Sequence, residues 1–131
     1  MIHNLPNERW SADEKRHFAF LHSLGRCALT RRTDGIELAH IRMFTGMALK
    51  PNWRHVLPLH HTVHAAQERA GADWWGDVGF ELDTPQDPRH WAVLLASFTV
   101  NRDREGAEDV LMRMFRRSNK SMLREIMMGA R

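Results

Sequence analysis

Apolar and polar positions alternate with two different periods along this chain, and the places where the period changes divide it into elements. In "SADEKRHFAFLHSL", Ser11 and Glu14 stand three apart, the spacing of a reciprocal capping box. Phe18, Phe20, Leu21 and Leu24 then follow at mainly helical spacing. A helix is predicted there, ended by Gly25. "CALTRRTDGIELAHI" places a Thr33-Asp34-Gly35 turn between two short stretches. The second, "IELAHI", alternates as a half-buried strand does. "RMFTGMALKPNW" has no clean period and contains Gly46 and Pro51, so it is predicted as a loop. "RHVLPL" is a second strand, with Pro58 near its edge. From His60 the composition turns to helix formers, through Ala65, Ala66, Gln67 and Glu68, and Gly71 supplies a C-cap. The order is strand, loop, strand, helix.

Three more helices are predicted beyond it. "TPQDPRHWAVLLASF" has Thr84 as N-cap, Pro85 in the first turn and Asp87 near the positive end of the helix dipole. "REGAEDVLMRMFRR" carries Val110, Leu111, Met114 and Phe115 as its apolar stripe. "SNKSMLREIMMGA" carries Met122, Leu123, Ile126 and Met127. The fold class is therefore α+β, mostly helical, in a single domain over residues 1–131, a length that supports one hydrophobic core. No apolar run approaches the ~18 residues of a membrane span. "MIHNLPNERW" has neither a basic nor an apolar leader segment, which predicts a cytoplasmic protein with no membrane partner.

Composition changes this picture in two ways. The single cysteine, Cys27, excludes an intrachain disulfide and a cysteine-rich zinc knuckle, and it reads as a small buried hydrophobe. The formal charge is only +3, but it is unevenly spread. Residues 26–60 carry Arg26, Arg31, Arg32, Arg42, Lys50 and Arg54 against Asp34 and Glu37, and residues 68–87 hold six carboxylates and one arginine. Such a layout permits contact with a polyanion, and it is equally the layout of a solvated charged face. Trp53, Trp74, Trp75 and Trp91 read as core-capping aromatics. The methionine stripe of the last helix reads as core or as a homodimer contact.

The chemistry lies in the histidines. On a helix starting near His60, His61, His64 and Glu68 fall at i, i+3 and i+7 and share a face. His64 and Glu68, one turn apart, match the pairing by which an imidazole nitrogen and a carboxylate oxygen hold one divalent cation. His40 ends the first strand and His55 lies inside the second. An antiparallel pair packed under the helix would gather all of them into one cleft. Solvated surface residues are the alternative for each.

With His40 fifteen residues before His55 and twenty-four before His64, the chain resembles the HNH, or ββα-metal, nucleases. Those enzymes have a strand-end histidine, an Asn or His in the second strand, and metal ligands one turn apart on the helix. "AHIRMFTGMALKPNWRHVLPLHHTVHAAQERAGADWWGDVGF" is similar to their phage-borne recombination-enhancement (Ref-like) branch: the "AHIR" strand end, "KP" in the loop, "PL" before a histidine pair, and a Gly then Trp-rich tail. The resemblance covers about residues 18–97, an HNH-like hairpin-plus-helix core, and leaves about 98–131 as a helical C-terminal extension. It implies a metal-dependent DNA endonuclease or nickase hydrolysing phosphodiester bonds, associated with phage or mobile-element recombination and with a recombination protein as a further partner. His40 would be the general base and His55 its orienting partner. His64, Glu68 and His61 would be metal ligands, and Lys50, Arg42 and Arg54 would be phosphate contacts.

The departures from that pattern carry information of their own. Knuckle positions that hold a structural zinc in relatives read Cys27 and Thr30, then His60 and Val63, so no structural zinc is expected. Ala39 stands where many HNH enzymes have a metal ligand, and Glu68 stands where the second helix ligand is usually histidine. The oxygen ligand favours Mg²⁺ or Mn²⁺, with Zn²⁺ as the alternative. Ala39 thins the ligand set, and the competing expectation is a catalytically decayed HNH-fold nucleic-acid-binding protein.

Overall fold

The computed structural model describes residues 10–41, 52–71 and 73–129, and the statements below concern these. They form an α+β fold that is mostly helical: α1 (Ala12–Leu24), β1 (Ile36–His40), β2 (Val56–His60), α2 (His61–Ala70), α3 (Trp74–Val78), α4 (Pro88–Ser97), α5 (Arg104–Arg117) and α6 (Lys120–Met127). The strands pair antiparallel, from Ile36 opposite His60 to His40 opposite Val56. Helix α2 follows β2 without a break.

Local chemistry explains the helix ends. The Glu14 amide donates to Ser11 Oγ at 3.1 Å and the Ser11 amide to Glu14 Oε1 at 3.4 Å, closing the capping box. Gly25, at a φ of 61°, ends α1 in the left-handed conformation that glycine adopts without a Cβ clash. The start of α4 differs from the sequence reading. Its N-cap is Asp87, whose carboxylate accepts from the Arg89 amide at 2.8 Å, and Pro88 takes the first helical position. Thr84 instead folds a turn before it, donating to the Glu81 carbonyl and accepting from the Gln86 amide. A carboxylate is the stronger cap here because it also meets the helix dipole.

All five residues of β2 are buried, because α1 and α4 as well as α2 pack on it. Pro58 sits in mid-strand opposite Leu38 and costs no ladder bond. A strand residue points its N–H and C=O to the same side, and the Pro58 carbonyl accepts from Ala28 at 2.9 Å, away from β1. The missing N–H therefore belongs to the outer edge. One apolar core takes residues from every element, among them Leu21, Leu38, Leu57, Val63, Trp75 and Leu111. Cys27 is buried and free. Of the methionine-rich stripe, Met122, Leu123 and Ile126 lie in the chain's own core, where α6 packs on α2 and α3; Met128 is exposed. Among the described residues no helix is long and apolar enough to cross a membrane.

Candidate site at the hairpin and helix α2

Glu37 lies in β1 and His64 on the first turns of α2. The strand and helix bring Glu37 Oε1 to 2.9 Å from His64 Nδ1, while Glu68, one turn further on, places Oε1 3.2 Å from His64 Nε2. His64 is buried; the two carboxylates are partly exposed. A carboxylate–imidazole–carboxylate chain thus ties strand to helix. A neutral imidazole carries one N–H and donates to one carboxylate at a time; only the imidazolium donates to both.

His64 and Glu68 meet as the sequence predicts, and the other expected members lie elsewhere. Alternation along β1 puts Glu37 and Ala39 on one face and Ile36, Leu38 and His40 on the other. Since Glu37 faces α2, His40 belongs to the opposite side of the sheet. His61 is exposed and turned toward the start of β1. Its amide donates to the Gly35 carbonyl at 2.8 Å, and its ring lies 4.3 Å from that of His60. It packs so closely over Gly35, at a φ of 59°, that a Cβ there would meet the His61 ring at 2.6 Å. His60 caps α2, accepting from the Thr62 amide through Nδ1 at 3.1 Å. Burial and then the neighbouring His61 push its pKa down, against an opposing pull from Asp34. His60 is thus held in the neutral form that a cap acceptor requires.

His55 precedes β2. Its pKa is lowered by burial and next by the Arg89 charge, with Asp87 opposing and His90 adding to the shift. These neighbours place His55 beside the N-terminus of α4 rather than beside His64. Asp87 itself is pushed up by burial, but hydrogen bonds from Arg89 and from the backbone of Asp83 and Arg89 outweigh that and hold it at about 2. Arg54 is exposed, its guanidinium 4.2 Å over the Trp53 ring. Arg42 and Lys50 lie outside the described residues.

The donors near α2 therefore do not match the set that the resemblance implies. Nδ1 and Nε2 point to opposite sides of an imidazole ring, so Glu37 and Glu68 cannot share one ion with His64. A cation on Nε2 and Glu68 has two protein donors. Among the described residues no group of three or more His, Cys, Asp or Glu side chains is arranged to hold a metal ion.

The sequence reading missed Glu37 as a site residue. Its signal was its place three residues before His40 in an alternating strand, which puts the two on opposite faces. It also missed His17, which is buried in α1 and bonded through Nδ1 to Thr99 Oγ1 at 2.7 Å. No protein-family model, curated protein or solved structure matches the chain.

Proposed function

We propose that the chain is a catalytically decayed HNH-fold protein that binds nucleic acid and uses its ββα unit as a scaffold. The observation that carries this reading is the Glu37–His64–Glu68 chain. The histidine that would hold a catalytic ion has a carboxylate oxygen 2.9 Å from one ring nitrogen and another 3.2 Å from the other, and His40 belongs to the other side of the sheet. The hairpin followed directly by a helix supports the scaffold. Arg54, exposed beside an aromatic ring, supports the polyanion contact, with Arg42 and Lys50 as the further cations of the same segment. The endonuclease or nickase reading is the alternative that the test below separates.

Labelled DNA should bind the protein with an affinity that falls as salt rises, because bound arginines release phosphate counterions. Arg54→Ala should reduce the slope of log affinity against log salt by about 1. In parallel, a supercoiled plasmid with Mg²⁺ or Mn²⁺ should stay intact in both wild type and His40→Ala. Nicking by wild type that His40→Ala abolishes would overturn the decayed-scaffold reading, and salt-insensitive or absent DNA binding would remove the nucleic-acid partner.

A further inference from the structure

On the side of the molecule formed by α1, the Trp53–Arg54 turn and the α4–α5 connection, two cavities of about 540 Å³ and 430 Å³ share Arg16, Thr99, Val100 and Arg102 in their walls. They form one continuous groove. Among the described residues its lining holds four arginines, Arg16, Arg54, Arg102 and Arg104, against a single carboxylate, Asp13. Arg16 pairs with Asp13, and Arg104 donates to the side chain and carbonyl of Ser23. The excess of positive charge favours an anion.

A buried histidine in the wall of the groove adds a polar group. His17 is 0% exposed, and its Nε2 has no hydrogen-bond partner among the described residues. Nδ1 lies 2.7 Å from the Thr99 hydroxyl; where that hydroxyl donates, the neutral ring carries its proton on Nε2. A buried N–H without a partner is costly, and a small shift of the wall would let an anionic oxygen in the groove satisfy it. Burial, and then the Arg54 charge, lower the His17 pKa to about 4, so this donor is neutral at pH 7. Arg102 is held with a φ of 50°, an uncommon conformation for a residue with a side chain, on the connection that forms one wall. The groove also has an apolar side: Val93, Ala96 and Val100 line it, and Val100 is 86% exposed.

We propose that this groove binds one nucleotide unit, with His17 Nε2–H and Arg102 on phosphate oxygens and the sugar and base against the Val93–Val100 wall. The larger cavity falls within the range of about 300–1,000 Å³ that small-molecule sites occupy and exceeds what a bare phosphate fills. A base reaches such a pocket only when it is out of a duplex, so the matching polymer is a single strand. A free nucleotide offers the same chemistry. The strand as source rests on the nucleic-acid-binding reading above; the groove's chemistry for a free nucleotide does not.

The test uses the full chain, a labelled single-stranded oligodeoxynucleotide, adenosine 5′-monophosphate and inorganic phosphate. Arg102→Gly removes the guanidinium while suiting the left-handed backbone, so its melting temperature should match wild type. Its affinity for the oligonucleotide should be about ten-fold weaker at low salt. The ¹⁵N resonance of His17 Nε2 should shift on adding the monophosphate and move far less with inorganic phosphate. Oligonucleotide binding with His17 unmoved and Arg102→Gly unaffected would overturn the groove and leave the nucleic-acid reading standing. A monophosphate-dependent shift with no oligonucleotide binding would keep the groove as a free-nucleotide site and remove that reading. An equal response to inorganic phosphate would overturn the nucleoside half of the proposal. No response to any of the three would overturn all of it.

Discussion

Trp75→Ala should destabilise the fold by about 3–5 kcal/mol through the cavity it opens, with about 1–3 kcal/mol more for a buried acceptor deprived of its donor. Trp75 is 0% exposed, and its indole N–H donates to Gln67 Oε1 at 2.9 Å, joining α3 to α2. Its ring meets Trp74 edge-on at 5.0 Å and Phe80 at 6.0 Å, and Phe80 in turn meets Trp91 at 6.3 Å. Removing the ring strips the centre of that aromatic row. A domain of this size has a total stability on the order of 5–15 kcal/mol, so the variant should be largely unfolded or close to it. Trp75→Phe separates the two contributions, because it keeps an aromatic ring and loses the N–H. It should cost about 1–3 kcal/mol. Urea unfolding monitored by circular dichroism measures both. A loss below about 1 kcal/mol for the alanine variant is incompatible with a closed core around this side chain.

Acid should weaken the fold well above the carboxylate range. His17 titrates near 6.5 in an unfolded chain and at about 4 in the folded one, because burial and then the Arg54 charge disfavour its cation. A group with a depressed folded pKa stabilises fully above its unfolded value and loses that contribution as pH falls through the folded value. Here the window runs from about 6.5 down to about 4. The unfolded state binds the proton first in that interval, and the span corresponds to about 3 kcal/mol. His55 and His60 are shifted in the same direction, by burial first, and steepen the slope. Asp87, held at about 2 by Arg89 and backbone amides despite its burial, keeps its contribution down to the usual carboxylate range and loses it only below. Stability measured by denaturant at a series of pH values should therefore drop between 6.5 and 4, and His17→Gln should flatten that drop. Arg54→Ala should flatten it too, by removing the second cause of the depressed pKa. A pH-independent stability across that interval would contradict the burial of His17.

The parts of the fold legible in the sequence are those fixed by neighbours in the chain. Ser11 and Glu14 announce the start of α1, and Gly25 its end, because caps act over three or four residues. The alternation of "IELAHI" locates β1, and the helix formers after His60 locate α2. The His64–Glu68 pair follows from a spacing of one turn. Helix α3, five residues long, is too short to show a period, and the Thr84–Asp87 segment offers two residues able to cap, of which three-dimensional packing selects the second. Side-chain direction leaves a weaker trace in the sequence. His40, His55 and His61 stand at spacings that suit a shared cleft, but the pleat of β1 sends His40 away from α2, and His61 turns to Gly35 and His60. Glu37 and His64 are 27 positions apart and His17 and Thr99 are 82 apart, so neither contact leaves a local signature. The methionine stripe of α6 shows that a pattern fit for a subunit contact is equally fit for the chain's own core.

The central claim is that His64 locks β1 to α2 and does not present a nitrogen to a catalytic cation. Its most direct test is a titration of ¹⁵N-labelled protein with Mg²⁺ and then Mn²⁺, observing the His64 ring nitrogens. The account predicts that Nδ1 and Nε2 keep their resonances through millimolar Mg²⁺ and show no selective broadening with Mn²⁺. A saturable Mg²⁺ shift at Nε2, with Mn²⁺ broadening centred on His64 and Glu68, would contradict it and return the site to metal chemistry.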